Sequence, residues 1–383
     1  MIEAHRPRLS RAKARRLVAA IALVTLALSL WELRADLPAV LHSDFVQAGQ
    51  ALDFLRTGSV EDRAVYPLPL VYLYAATFLA AYGAGSLLGW PNYADWETFL
   101  RHLARPEVHH AIGRSFGALC AALLAVGVYR LARVRFDRSV AVLAAAAAAF
   151  SPLQTLYAHQ FRPHVPVITV VILLAPAVLR AALAPGLRTG LLSGLAAGVA
   201  CAVFQAGIPV AAAAVALAVL LVRPARVMAS TLLGIGLGVA AGWIGLTLLC
   251  THTGLLAEGT EAGGLLLRGH RGGLGYGSSG LLSQLGHVTL APPLWLAAET
   301  ACALGFLGFV WLCLRGRRSW RDLALYGVPA AVIVSAIVFI QLPRVRYTMY
   351  ATPFLAPLAA SAVLAIPAAP ARLLGARRLA AGA

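Results

Sequence analysis

A chain of 383 residues with 60% hydrophobic side chains, 12% charged ones and a mean hydropathy of +0.78 carries more apolar surface than one water-soluble core can hide. That excludes an ordinary soluble domain and makes this an integral membrane protein. The net charge of +17 would suit nucleic acid if it formed a face, but the arginines fall in short clusters at the ends of apolar runs, which is a pattern of topology and lipid-phosphate contact, so no nucleic-acid partner is expected.

The first element, "RPRLSRAKARRLVAAIALVTLALSLWELR", runs from basic to apolar with no small-residue cleavage site behind it. It is expected to stay as the first transmembrane helix instead of leaving as a signal peptide. Directly after it, "LHSDFVQAGQALDFLRTGSV" at 41–60 places Asp44 where the chain has just left the membrane, ahead of an amphipathic stretch. Residues 34–110 read as a first outer loop with juxtamembrane helices. Inside that loop lies a long apolar segment, "YPLPLVYLYAATFLAAYGAGSLLGW" at 66–90, with prolines at its start and glycines towards its end. Further runs long enough to cross occupy roughly 111–129, 139–157, 165–180, 189–205, 207–222, 228–250, 290–314, 323–342 and 347–367, making about ten crossings in all.

Arginine sets the orientation. With Arg6 to Arg16 cytoplasmic, alternating crossings put Arg130/Arg133/Arg135/Arg138, Arg180/Arg188, Arg223/Arg226, Arg315/Arg317/Arg318/Arg321 and Arg372/Arg377/Arg378 on the cytoplasmic side as well, with both termini. The agreement requires that 66–90 lie along the outer face or re-enter, since a single crossing would reverse every later cluster. Even the longest loop, the glycine-rich outer one at 251–289, is too short for a soluble domain, so the chain is one all-α polytopic unit over 1–383. The five cysteines are dispersed in or near apolar runs, with no C-x-x-C, and read as small core residues.

Five short motifs then stand in order: Asp44 soon after the first helix, "YPLPLVYLYA", "RSFGAL" opening the second crossing, the hairpin "YAHQFRPHVP", and "RYTMYATPFLAPL" near the end. In that order they resemble the GT-C glycosyltransferases, nearest to the protein O-mannosyltransferases and the bacterial aminoarabinose transferases that modify lipid A. The resemblance spans nearly the whole chain and implies a GT-C-like fold. The activity implied is hexosyl or pentosyl transfer from a polyprenyl-phosphate sugar, with inversion, at the outer face of the membrane. The implied acceptor is a lipid, glycan or protein, and membrane lipids are the surroundings. The Ala/Leu/Arg-rich usage with almost no lysine resembles a bacterium of high genomic GC, so the cytoplasmic (inner) membrane is the expected location. A transporter or flippase of a lipid-linked sugar, and an outer-face sugar-polymer ligase, are the alternative readings.

Asp44 matches the family's first acidic motif and would be the general base that takes a proton from the acceptor; a helix-cap carboxylate beside Ser43 is the plain alternative. Relatives often carry Asp-Glu there, where this chain has Asp44-Phe45. Their hairpin commonly ends in Asp, where this one ends in His164. Arg162, Arg344 and Arg346 break the positive-inside trend and suit a donor phosphate. The loop "LLLRGHRGGLGYGSSG" supplies Arg268 and Arg271 for a flap over that phosphate, or is simply flexible. His159 and His164, Tyr66 and Tyr347, and Glu299 inside an apolar run are supporting candidates. Two histidines without a third ligand do not make a metal site; no cofactor is implied, and a divalent metal is left open.

Overall fold

The computed structural model describes residues 9–31, 45–58, 68–158, 164–203, 207–251, 297–339 and 349–365, and among them every regular element is a helix. In chain order these are α1 (Arg11–Leu30), α2 (Phe45–Thr57), α3 (Leu68–Leu87), α4 (Trp96–Leu103), α5 (Pro106–Ala132), α6 (Arg138–Ala149), α7 (Pro152–Ala158), α8 (His164–Leu183), α9 (Leu187–Val203), α10 (Ile208–Leu221), α11 (Ala225–Thr251), α12 (Ala297–Leu314), α13 (Trp320–Phe339) and α14 (Thr352–Ala365). A helix stands at each of the ten expected crossings. By length and composition α3, α5, α8, α11 and α12 can each cross alone, and α6 with α7, bent by 55°, makes one broken span. α9, α10 and α14 are apolar but shorter, so helix length alone does not fix the number of crossings.

Local chemistry explains where the helices begin and end. Asp137 accepts from the backbone N–H groups of Ser139 and Val140 at 2.8 and 3.0 Å and starts α6. Ser151 does the same for α7, its hydroxyl accepting from Gln154 N–H. Pro106 occupies the first turn of α5, where the missing N–H costs nothing. Gly89 and Gly316 sit at φ +68° and +66° just past α3 and α12. Behind them Trp90 and Arg317 donate back to Gly85 and Leu312, the 6→1 bond that closes a helix on a left-handed residue.

In lipid the helices gain little from hiding apolar groups from one another, so close packing and buried hydrogen bonds must hold them. The clearest instance is α9 on α11. Gly190, Gly194 and Gly198 of α9 press on the backbone of Thr231, Ile235 and Val239, while Gly234, Gly238 and Gly242 of α11 press on Leu187, Leu191 and Leu195. A methyl group added at Gly242 would lie 2.6 Å from the Leu195 carbonyl oxygen. Elsewhere the Thr169 hydroxyl donates to the Cys120 carbonyl at 2.9 Å, tying α8 to α5, and the Tyr326 hydroxyl donates to the Leu131 carbonyl at 3.0 Å, tying α13 to α5. α8 and α5 are the most enclosed spans, with 72% and 61% of their apolar windows inside the protein, against 28% for α11 and 22% for α12. The described cysteines, Cys120, Cys201, Cys302 and Cys313, are free and buried.

The arginine clusters meet at one end of the bundle. Arg138 at the start of α6 donates to the Leu9 carbonyl ahead of α1 at 3.1 Å; Arg135 pairs with Asp322 of α13 at 2.6 Å; Arg321 reaches the Ala182 carbonyl at the end of α8. α1 and α5 therefore run antiparallel, and the end of α1, the start of α5, the end of α7 and the start of α8 all lie at the other end.

Candidate functional site

From the middle of α5 towards that other end the structure joins sequence motifs that lie far apart in the chain. Phe54 of α2 meets Tyr72 of the aromatic-proline segment edge to face at 4.6 Å. Two residues on, Tyr74 meets Phe116 of "RSFGAL" at 5.8 Å. The next residue of that motif, Gly117, lies against the last residue of α7: a methyl group there would come 2.8 Å from the Ala158 carbonyl oxygen. Only glycine lets α5 and α7 approach this closely. His164, which closes the hairpin and opens α8, has its Nδ1 3.2 Å from the hydroxyl of Tyr350, the last residue of "RYTMY", and its ring meets Tyr157 edge to face. His164 is 5% exposed and Tyr350 3%, so this contact is inside the protein and not at its rim.

A second polar spot lies at the root of α7. Glu299, near the start of α12, accepts a 2.8 Å hydrogen bond from the Ser151 hydroxyl, and its other carboxyl oxygen is buried with no partner among the described residues. Gln154, one turn along α7, is 1% exposed with neither amide atom hydrogen-bonded among the described residues. On α5, His109, His110 and Arg114 are buried one and two turns before Gly117, and His109 Nδ1 lies 3.0 Å from the Leu103 carbonyl oxygen at the end of α4. Among the described residues no three His, Cys, Asp or Glu side chains gather as a metal site would require.

Of the residues singled out from sequence, His164 and Glu299 are therefore placed, Glu299 bonded to Ser151 just before α7 and His164 in ring contact with Tyr157 near the end of α7. Asp44, Tyr66, His159, Arg162, Arg268, Arg271, Arg344, Arg346 and Tyr347 lie outside the described residues.

The profile of the dolichyl-phosphate-mannose-protein mannosyltransferase family matches residues 107–250, which is α5 to α11. No curated protein matches the sequence. Among solved structures, ArnT from Cupriavidus metallidurans bound to undecaprenyl phosphate aligns at a TM-score of 0.63 and 17% identity, over 97% of this chain and 64% of that one. The oligosaccharyltransferase AglB from Archaeoglobus fulgidus, in complex with an inhibitory peptide and a dolichol-phosphate, aligns at 0.52 and 16% over 97% of this chain and 52% of that one. The chain has the GT-C fold. It spans less than two thirds of the length of either protein. The family profile covers "RSFGAL" and the hairpin but stops short of Asp44 and "RYTMY", so it is the structural match that takes in the first and last helices. Sequence reading missed Gln154, Ser151, His109, His110 and Arg114 as polar groups in the bundle. For Arg114, Ser151 and Gln154 the signal was available, since each is a polar or ionisable residue in an apolar run.

Proposed function

We propose that this chain transfers a sugar from a polyprenyl-phosphate donor to a hydroxyl or amine of a lipid, glycan or protein acceptor, at the outer face of a bacterial cytoplasmic membrane. What carries the reading is a single observation: in a chain with the GT-C fold, segments bearing the motifs are in contact in the interior of the bundle, between the middle of α5 and the start of α8, away from the arginine clusters. The donor class is taken from ArnT and AglB, whose structures hold undecaprenyl phosphate and a dolichol-phosphate.

The reaction is a single displacement. Asp44 takes the acceptor proton as the acceptor attacks the anomeric carbon, the bond to the donor phosphate breaks, and the configuration inverts. Arg162 stands two residues before His164, and Arg346 four before Tyr350. A chain advances at most about 3.3–3.6 Å per residue, so the His164–Tyr350 contact supports bringing both guanidinium groups to one leaving phosphate, with Arg344 beside them. Arg268 and Arg271 close over it from the glycine-rich loop, and Tyr66, Tyr347 and the aromatic segment shape the lipid groove. His159 and Glu299 support the polar lining.

The test is direct. Purified protein supplied with a polyprenyl-phosphate sugar and an envelope acceptor fraction should release polyprenyl phosphate only when the acceptor is present. Movement of the lipid-linked sugar across a vesicle without that release would overturn the reading in favour of a flippase.

A further inference from the structure

The arginine-rich end of the bundle holds a cavity that sugar transfer does not use. It has a volume of about 520 Å³ and is lined by Arg11 and Arg15 of α1, Tyr129 and Arg130 of α5, Arg133 just after α5, and Arg138 of α6. Small-molecule sites run from about 300 to 1,000 Å³, so it is large enough for more than a simple ion. Five arginines from three stretches of chain line one space. Two are aimed by backbone: Arg133 donates to the Phe136 carbonyl and Arg138 to the Leu9 carbonyl. The described acids at this end are engaged elsewhere. Asp137 caps α6, and Asp322 takes Arg135 in the one ion pair among the described residues. Arg11, Arg15 and Arg130 thus have no carboxylate at ion-pair distance among the described residues. Gathered like charges repel, and an anion in the cavity relieves that repulsion.

Topology alone does not ask for this arrangement. The positive-inside rule is met by arginines anywhere in the short loops; it does not require them to converge on a cavity. Beyond the cavity the outer surface of α5 is apolar: Leu119 and Leu123 are exposed. Leu119, Leu123 and Arg130 are four and seven residues apart and share one stripe of α5, so the apolar stripe ends at the guanidinium. Tyr129 beside it is a side chain suited to the boundary between lipid and water.

We propose that this cavity binds the headgroup of an acidic glycerophospholipid, its phosphodiester oxygens held by Arg11, Arg15 and Arg130 and its acyl chains lying along α5. Guanidinium forks match phosphate oxygens two at a time, and a soluble phosphate would leave the apolar stripe unused. The bound lipid bridges α1 to the α5–α6 turn and neutralises the charge gathered there.

The experiment is native mass spectrometry of the full chain in detergent, titrated with phosphatidylglycerol or with phosphatidylcholine of the same acyl chains. The expected result is a first phosphatidylglycerol adduct at about tenfold lower lipid concentration than the phosphatidylcholine adduct. The preference should shrink as ammonium acetate is raised and vanish in the combined Arg11→Gln, Arg15→Gln, Arg130→Gln variant. Equal uptake of the two lipids, or a preference unmoved by salt in the unmodified protein, overturns the proposal; the salt series needs no variant to fold. A combined variant that keeps the preference overturns it too. Inorganic pyrophosphate alone, binding as readily as phosphatidylglycerol, would make this a site for a soluble anion and would equally end the lipid assignment. Because the readout is binding, the outcome is independent of whether the chain transfers sugar.

Discussion

A base that removes one proton in a transition state is worth about 10²–10⁴ in rate, and an amide in its place keeps size and hydrogen bonding but cannot take the proton. Asp44→Asn is therefore expected to fold normally and lose turnover by about that factor in the polyprenyl-phosphate release assay; near-normal turnover removes Asp44 from the mechanism. The arginines are separable by the same assay. Losing a charge-assisted contact to phosphate should cost on the order of 1.5–3 kcal/mol at Arg162, Arg344 or Arg346. Lysine should restore only part, because a point charge lacks the bidentate fork. If glutamine serves as well as arginine at all three, charge is not what these positions supply. These residues, which lie outside the described ones, stand out in the sequence because a charge beside a membrane is conspicuous. Tyr350 was legible only as an interfacial anchor with Tyr347, since a tyrosine at a span end commonly is one; its burial against His164 depends on two loops meeting, and no local pattern encodes that.

At the scale of elements, the α9–α11 contact depends on backbone approaching backbone, so bulk at the seam should be costly and bulk beside it harmless. Gly194→Leu puts a side chain into the Ile235 backbone and is expected to destabilise the protein by about 1–3 kcal/mol or more, read as a lowered thermal midpoint in detergent. Gly236 lies in the same glycine-rich run but has nothing within 4 Å of a built Cβ. Gly236→Ala should be neutral or stabilising by up to about 1 kcal/mol. Equal effects at both positions would mean that glycine flexibility, not close approach, is what matters. Every glycine of the seam recurs at a spacing of four and could be found in the sequence; which of the intervening glycines face a partner could not. A smaller element gives a pH prediction. Asp95 accepts from the Thr98 backbone N–H and hydroxyl, which holds its carboxyl below the ordinary carboxylate range. A depressed carboxyl stabilises above its unfolded pKa, near 3.9, and the contribution fades as pH falls below that towards the folded value. Amide exchange across α4, corrected for intrinsic rate, should show protection lost in that acidic window, and Asp95→Asn should remove the pH dependence.

For the molecule as a whole, the decisive question is how the chain gets from α1 to α5. These two helices run antiparallel, with Arg11 and Arg15 of one beside Arg130 and Arg133 of the other, so residues 31 and 106 lie at the same end of the bundle. Whatever crosses between them must cross an even number of times. α3 has 20 residues, about 30 Å at 1.5 Å per residue, which is enough for a bilayer core. α2, with 13 residues including Asp53 and Arg56, is too short and too charged to supply a compensating return. α3 is therefore expected to lie along the membrane or re-enter it. Single cysteines at Arg63 and Asp95, in a protein with its own cysteines replaced, should react with an impermeant maleimide from one side of a sealed vesicle, and a cysteine at Arg133 from the other. Labels at Arg63 and Asp95 that react from opposite sides would make α3 a crossing and require a second one between residues 31 and 63 to keep α1 and α5 antiparallel. The reading of residues 34–110 as an outer loop, and most of the site assignments with it, would then be overturned.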